Sequence, residues 1–170
     1  MAEAAADQEL TIRPVTIDDL EVLIDIYLDT AIHHATIDPE GFHVPARPDI
    51  ADRLRRRIDA PAATGTYVAA IIDGRMVGSA SIGIADAPHP GSMLRPVREA
   101  EFGVSVVGGF RGRGIGRALI AHVEAWAAEH NVERVILNVA EANVDAIRLY
   151  RALGYVEYDR AMRKTIAPER

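Results

Sequence analysis

The segment from Glu101 to Asn131 constrains the fold of this 170-residue chain more than any other. It begins with β-branched residues, continues through glycines and arginines, and ends in an amphipathic pattern whose apolar stripe is Ile115, Leu119, Val123 and Trp126. This order predicts a strand over 101–107, a tight turn, and a helix over 114–130. Such a turn exposes backbone N–H groups at the positive end of the helix dipole, which suits an anion such as a pyrophosphate.

The spacing of the glycines narrows the class of ligand. The turn contains Gly112, Gly114 and Gly116 together with Arg111, Arg113 and Arg117. A P-loop needs Lys and then Ser or Thr after its last glycine, whereas Gly116 is followed by Arg117-Ala118. A dinucleotide fingerprint needs G-x-G-x-x-G, and the spacing here is G-x-G-x-G. The pattern favours a phosphate-bearing ligand of another kind, and a tight turn that merely needs glycines is the alternative.

The remaining chain predicts a mixed α/β sheet with helices on its faces. The expected strands cover 11–15, 67–72, 76–84, 101–107 and 134–139, with one or two closing strands over 155–166. The Asp73-Gly74 pair predicts a two-residue hairpin turn between the second and third strands. The expected helices run from Thr16 through Ala31, over 48–58, over 114–130 and over 144–153, and residues 33–48 and 86–96 are expected to be loops. We expect residues 1–9 to form a disordered tail and residues 10–170 to form a single domain.

Composition and charge exclude several classes of protein. The formal net charge of −6 disfavours nucleic acid as a partner. No apolar run reaches the roughly 20 residues that span a membrane, and the acidic N-terminus is not a signal peptide, so we expect no membrane partner. The absence of cysteine makes a reducing cytoplasm the expected compartment. The chain has no cysteine, and its six histidines do not suggest a metal site, so we expect no metal.

A second motif follows the strand near Arg134. Asn143 is a good helix N-cap, and the sequence from Asn143 to Tyr155 reads N-x-x-A-x-x-L-Y-x-x-L-G-Y. Together with R-x-x-G-x-G from Arg111 to Gly116, this motif resembles the GNAT superfamily of acetyl-CoA-dependent N-acetyltransferases. The resemblance implies a mostly antiparallel central sheet with a V-shaped splay, flanked by helices on both faces. It also implies acetyl-CoA as co-substrate.

The resemblance assigns the cofactor contacts residue by residue. The backbone of the strand before the turn would bind the pantetheine arm, the turn would hold the pyrophosphate, and Asn143 would contact the arm. The implied cofactor-binding residues are Val104, Ser105, Val106, Arg111, Gly112, Arg113, Gly114, Ile115, Gly116, Arg117, Asn138 and Asn143.

Two side chains are candidates for proton transfer. Tyr150 corresponds to the tyrosine that many relatives keep beside the cofactor sulfur, where a phenol can protonate the departing thiolate. A packed aromatic that anchors its helix is the alternative. Glu101 is a candidate base, directly or through a water, and an exposed strand-end carboxylate is the alternative. Some relatives carry a Glu on the next strand where this chain has Asn138, so a water chain is a further option.

The acceptor is expected to be a small-molecule or peptide amine. It would be shaped by the loops over 33–48 and 86–96, where Asp38, Glu40 and Asp86 could hold a cationic group. The arginines over 53–57 could form an anion site, but we interpret them as a solvated helix face. A homodimer is an open alternative that no sequence feature requires. The competing functional hypothesis is a non-catalytic acyl-CoA-binding sensor or regulatory module.

Overall fold

The computed structural model describes residues 9–164, which form one five-stranded sheet with helices on both faces. The strands, in the spatial order of the sheet, are β1 (Thr11–Pro14), β2 (Gly65–Ile72), β3 (Arg75–Ile84), β4 (Glu99–Val106) and β5 (Arg134–Ile136). The helices are α1 (Leu20–Ile37), α2 (Arg47–Ile58), α3 (Ile115–Glu129) and α4 (Val144–Ala152). All neighbouring strands are antiparallel except β4 and β5, so the expected mixed sheet is confirmed.

The hairpin between β2 and β3 forms at the predicted turn. Asp73 and Gly74 have φ of 50° and 73°, and positive φ at both central residues is what a type I′ turn requires. Further along β3, a Cβ on Gly78 would lie 2.8 Å from the backbone oxygen of Ser105 on β4. Glycine therefore lets the two central strands approach closely at this position.

Each face of the sheet has its own apolar core. Helices α1 and α2 cover one face, where Leu23 and Ile50 are each 1% exposed. Helix α3 covers the other face, where Leu119 and Val123 are fully buried against Phe102 and the central strands. The alternation of side chains along β4 therefore decides which face each of its residues serves.

The first helix is longer than the sequence predicted. A short 3-10 helix over Ile17–Asp19 precedes α1, and α1 continues through His33 and His34 to Ile37. The expectation that the loop begins at His33 was wrong, because none of the residues from 33 to 37 breaks a helix. The helix ends only at Asp38, which precedes Pro39.

Two strand predictions near the C-terminus also need correction. Strand β5 ends at Ile136 rather than at 139, and residues 155–164 contain no strand. Beyond Tyr155 the side chains of this segment are exposed, at 82% for Val156 and 93% for Met162, so no neighbouring strand covers them. β-propensity alone does not form a strand without such a partner. Residues 165–166 of the predicted closing strands, and residues 1–8 of the predicted tail, lie outside the described residues.

Candidate active site

A gap opens between β4 and β5. The two strands are in register only from Glu99↔Arg134 to Glu101↔Ile136, whereas β4 continues to Val106 and pairs beyond Glu101 with β3 alone. One edge of β4 therefore faces the gap from Phe102 to Val106. This is the splay that the family resemblance implied.

The hydrogen-bond alternation of β4 determines which backbone groups face the gap. The N–H of Ala85 donates to Glu99 O at 2.8 Å, and the N–H of Val107 donates to Val77 O at 3.0 Å. In an antiparallel ladder every second residue bonds the same neighbour, so the odd-numbered residues of β4 bond β3. The backbone N–H and C=O groups of Val104 and Val106 consequently point towards the gap. Ser105 turns its backbone towards β3 and has only its side chain left for a ligand.

The glycine turn after β4 has the backbone that an anion cradle needs. Gly112 and Gly114 have φ of 76° and 81°, a backbone conformation that residues with a side chain rarely adopt. This conformation, and not lack of space, favours glycine here, because a Cβ at either position would meet nothing within 4 Å. The first helical bond of α3 runs from Ala118 N–H to Gly114 O at 3.0 Å. The N–H groups of Ile115, Gly116 and Arg117 therefore precede the first helical bond and are available to a ligand. Ile115 contributes only its backbone, since its side chain is 2% exposed.

The three arginines of the turn have different environments. Arg111 donates from Nε to Val106 O at 2.9 Å and from Nη2 to Asp29 Oδ2 at 3.0 Å, which ties the turn to α1. The guanidinium carbon of Arg113 lies 5.2 Å from the centre of the Phe110 ring. Arg117 is exposed on the first turn of α3. Arg111 thus positions the turn, whereas Arg113 and Arg117 leave their charge to solvent or to a ligand.

Tyr150 lies on the α3 face beside the gap. Its ring packs edge-on against Phe102, with centroids 6.1 Å apart, and against Tyr155 at 5.9 Å. Burial raises the pKa of the Tyr150 phenol, and no described residue hydrogen-bonds its hydroxyl. Tyr155 differs because its hydroxyl donates to Glu124 Oε1 at 2.7 Å. Of the two phenols, Tyr150 therefore has the hydroxyl available for chemistry.

Glu101 lies on the opposite face of the sheet. Because neighbouring strand residues point to opposite faces, Glu101 faces α2 while Phe102 faces α3. Asn138, just beyond the end of β5, donates from Nδ2 to Glu101 Oε1 at 2.9 Å. Both side chains line a cleft of about 470 Å³. Asn138 is therefore a partner of the candidate base, and its predicted contact with the cofactor stays a prediction.

Two residues of this cleft belong to the arginines that the sequence analysis interpreted as a solvated helix face. Arg53 and Arg57 are exposed, as a solvated helix face would be, but both line the cleft that contains Glu101. Arg57 donates from Nη1 to the hydroxyl of Ser81 at 2.6 Å, and Ser81 on β3 is 4% exposed. The signal available in the sequence was their i, i+4 spacing, which puts both on one side of α2.

Asn143 caps α4, as predicted. Its Oδ1 accepts from the N–H of Ala146 at 3.3 Å, and its Nδ2 lies 3.5 Å from His34 Nε2. His34 stacks on Phe42 with centroids 4.9 Å apart, and burial lowers the pKa of this imidazole. Together with Asn138 these rings line a second cleft, of about 340 Å³. The predicted contact of Asn143 with the cofactor arm stays a prediction.

The residues around the gap fit coenzyme A. The edge of β4 offers amide groups to an extended amide-bearing arm, and the glycine turn offers N–H groups to a diphosphate where that edge ends.

Within residues 9–164, no three His, Asp or Glu side chains are grouped to hold a metal ion. No helix in the same range is long and apolar enough to cross a membrane.

A family model described as Acetyltransferase (GNAT) family matches residues 28–155. The chain belongs to this family. Human N-acetylaspartate synthetase is 28% identical over 133 residues, which are 78% of this chain but only 36% of that protein. Streptothricin acetyltransferase from Streptomyces lavendulae is 26% identical over 84% of this chain and 78% of its own length. An aminoglycoside N(6')-acetyltransferase from Stenotrophomonas maltophilia is 30% identical over 68% and 76%.

Solved structures of GNAT proteins share the fold. A Bacillus halodurans protein superposes with a TM-score of 0.83 at 18% identity, covering 92% of this chain and 99% of its own. An aminoglycoside N-acetyltransferase in complex with CoA has a TM-score of 0.70 at 20% identity, covering 96% and 99%. The predicted family and fold class are thereby confirmed.

Proposed function

We propose that the protein is an N-acetyltransferase that moves an acetyl group from acetyl-CoA to a primary amine of a small molecule or peptide. The single observation that carries this proposal is the gap between β4 and β5. The exposed edge of β4 and the glycine turn border this gap. The Tyr150 phenol lies beside it on one face of the sheet, and the Glu101 carboxylate lies on the other face. Acetyl-CoA would supply an activated thioester, so no covalent enzyme intermediate is needed.

Each candidate residue then has one task. Glu101 receives a proton from the amine, because an alkylammonium of pKa about 10.4 is mostly charged at neutral pH. Asn138 orients that carboxylate through its bond to Oε1. The N–H of Val104 faces the gap and would stabilise developing negative charge on the acetyl oxygen. As the nitrogen–carbon bond forms and the carbon–sulfur bond breaks, Tyr150 donates its proton to the departing sulfur.

The test follows free thiol during incubation with acetyl-CoA and a panel of primary amines. Because the relatives are named for aspartate, streptothricin and aminoglycosides, the panel includes these together with amino acids and peptides. The N-acetylated form of each amine serves as its matched control. We expect thiol release with at least one amine and none with its acetylated control.

Calorimetry with coenzyme A separates binding from catalysis. Micromolar binding without thiol release across the panel would refute the enzyme assignment and support an acyl-CoA-binding sensor instead. Absence of binding at millimolar coenzyme A would refute both.

A further inference from the structure

Two arginines without an anionic partner line the cleft on the Glu101 side. Arg53 and Arg57 lie one helical turn apart on α2, and no carboxylate of residues 9–164 forms an ion pair with either. Arg55, on the same helix but outside the cleft, pairs with Asp52 at 3.3 Å. The cleft therefore contains two guanidinium groups that no ion pair among the described residues neutralises.

The groups that contact the two guanidinium groups are neutral. Arg57 donates one N–H to the buried hydroxyl of Ser81 at 2.6 Å, which leaves four of its five donors for a ligand. The guanidinium carbon of Arg53 lies 6.0 Å from the centre of the Tyr27 ring. A guanidinium oriented in advance loses less entropy when it binds a planar oxyanion. The bond to Ser81 thus orients the charge of Arg57, and neither contact neutralises a guanidinium group.

The charge balance of the cleft distinguishes between classes of acceptor. Its lining contains two guanidinium groups and one carboxylate, that of Glu101. A polyamine without an anionic group would meet net repulsion there. The acidic residues expected to attract a cation do not compensate. Asp38 pairs with Arg163 at 2.9 Å, Glu40 lies 3.9 Å from the same arginine, and Asp86 does not line the cleft.

We propose that the acceptor is an amine that also carries an oxyanion, a carboxylate or a phosphate, which Arg57 and Arg53 bind while Glu101 faces the amine. Arginine suits this role because its planar fork binds carboxylate and phosphate with two parallel hydrogen bonds. The proposal rests on the proposed function and specifies its substrate class. Amino acids are the simplest amines of this kind, and aminoglycosides lie outside the class.

Matched acceptors test the proposal. Thiol release is measured with glycine against glycinamide, aspartate against its diamide, and O-phosphoethanolamine against ethanolamine, at saturating acetyl-CoA. The anionic member of at least one pair is expected to have a kcat/KM about 10- to 100-fold higher. Amidation lowers the pKa of the neighbouring amine, which biases the first two comparisons against the proposal. The phosphate pair distinguishes the two oxyanions.

Variants then assign the preference to the cleft. Arg57→Gln is expected to raise KM for the anionic acceptor about 10- to 100-fold and to leave KM for its neutral partner unchanged. Arg57→Lys keeps the charge but loses the fork, and should recover part of the loss. Arg56→Gln is the matched control, since Arg56 is exposed on the same helix and does not line the cleft. Thermal melting and coenzyme A calorimetry verify that each variant is folded.

A binding measurement separates this inference from the proposed function. The Nε–Hε resonance of Arg57 is followed by NMR while N-acetylglycine or N-acetylglycinamide is added to the protein with coenzyme A. A shift with the carboxylate alone supports the proposal, and equal responses overturn it. Faster reaction of the neutral acceptors, or equal losses in Arg57→Gln and Arg56→Gln, would also overturn it. If none of the tested amines causes thiol release, the proposed enzymatic function is refuted. The NMR titration still decides whether the cleft binds an oxyanion.

Discussion

Two neighbouring tyrosines give the sharpest test of the proposed chemistry. Tyr150 and Tyr155 pack with centroids 5.9 Å apart, but of the two only Tyr155 has a hydroxyl that is hydrogen-bonded within residues 9–164, to Glu124 at 2.7 Å. Replacing each with phenylalanine removes one oxygen atom from the same cluster. The catalytic assignment predicts that the first substitution impairs turnover and the second impairs stability.

The size of each effect follows from these environments. A positioned proton donor contributes roughly 10²- to 10⁴-fold to a rate, so Tyr150→Phe should lower kcat by about 100-fold or more with an unchanged Kd for coenzyme A. Its stability should not fall, because its hydroxyl has no bonding partner among the described residues. Tyr155→Phe loses a bond to a half-buried carboxylate, worth about 1–2 kcal/mol, which lowers Tm by about 2–8 °C. Its kcat should stay within about threefold of wild type, since its oxygen has no part in the proton transfer.

The assays are thiol release with a reactive amine and thermal unfolding of both variants. The pH profile adds an independent check, because burial raises the pKa of Tyr150 from 10.0 and the phenol must be protonated to act. This group should therefore not limit wild-type activity until the pH rises above 10. If Tyr150→Phe kept kcat within about threefold of wild type, the phenol would be a packing residue and the reasoning would fail.

Three further predictions concern the turn, the sheet and the first helix. Gly114→Ala should weaken coenzyme A binding in calorimetry, whereas Gly74→Ala, which incurs a similar cost of about 1–2 kcal/mol for positive φ, should lower Tm alone. Gly78→Ala should destabilise the protein by roughly 1–3 kcal/mol in urea unfolding, because its Cβ would lie 2.8 Å from Ser105 O. The pKa of Asp19 is lowered from 3.8 to about 2, chiefly by its hydrogen bond from the Arg13 guanidinium. The contribution of Asp19 to folding stability is therefore present above pH 4 and is lost as the pH falls towards 2. Asp19→Asn should therefore remove about 1–2 kcal/mol of stability at pH 7 and very little at pH 2, as measured by urea unfolding at both values.

The parts of the fold that the sequence predicted are those decided by short segments. Asp73-Gly74 specifies a hairpin turn because both residues tolerate positive φ, and the structure has that turn. Gly112 and Gly114 likewise adopt the positive φ that a turn between strand and helix requires. Asn143 caps α4 through its own side chain. In each case the physical cause lies within a few residues of the effect.

The failures concern partners that are distant in the sequence. The segment over 155–164 has strand-like composition but no neighbouring strand, and composition cannot supply one. Arg57 was assigned to solvent because its own helix cannot reveal Ser81, which is 24 residues away and buried across the cleft. The bond from Arg111 to Asp29, which lies 82 residues earlier, could not be seen in the sequence either, and the predicted contact of Arg111 with the pyrophosphate stays a prediction. Contacts between residues that are distant in the sequence cannot be inferred from the local sequence pattern.

The single parallel pair in the sheet explains why the candidate groups converge. A hairpin would return the chain antiparallel to β4, whereas α3 carries it across so that β5 runs parallel to β4. The glycine turn and the start of α3 therefore lie at the carboxyl end of β4, beyond the last paired residues, Glu101 and Ile136. Both strands run out of the paired region at that same end, and the gap opens beside the N–H groups of the turn. One crossover thus accounts for both the free N–H groups at the start of α3 and the adjoining opening.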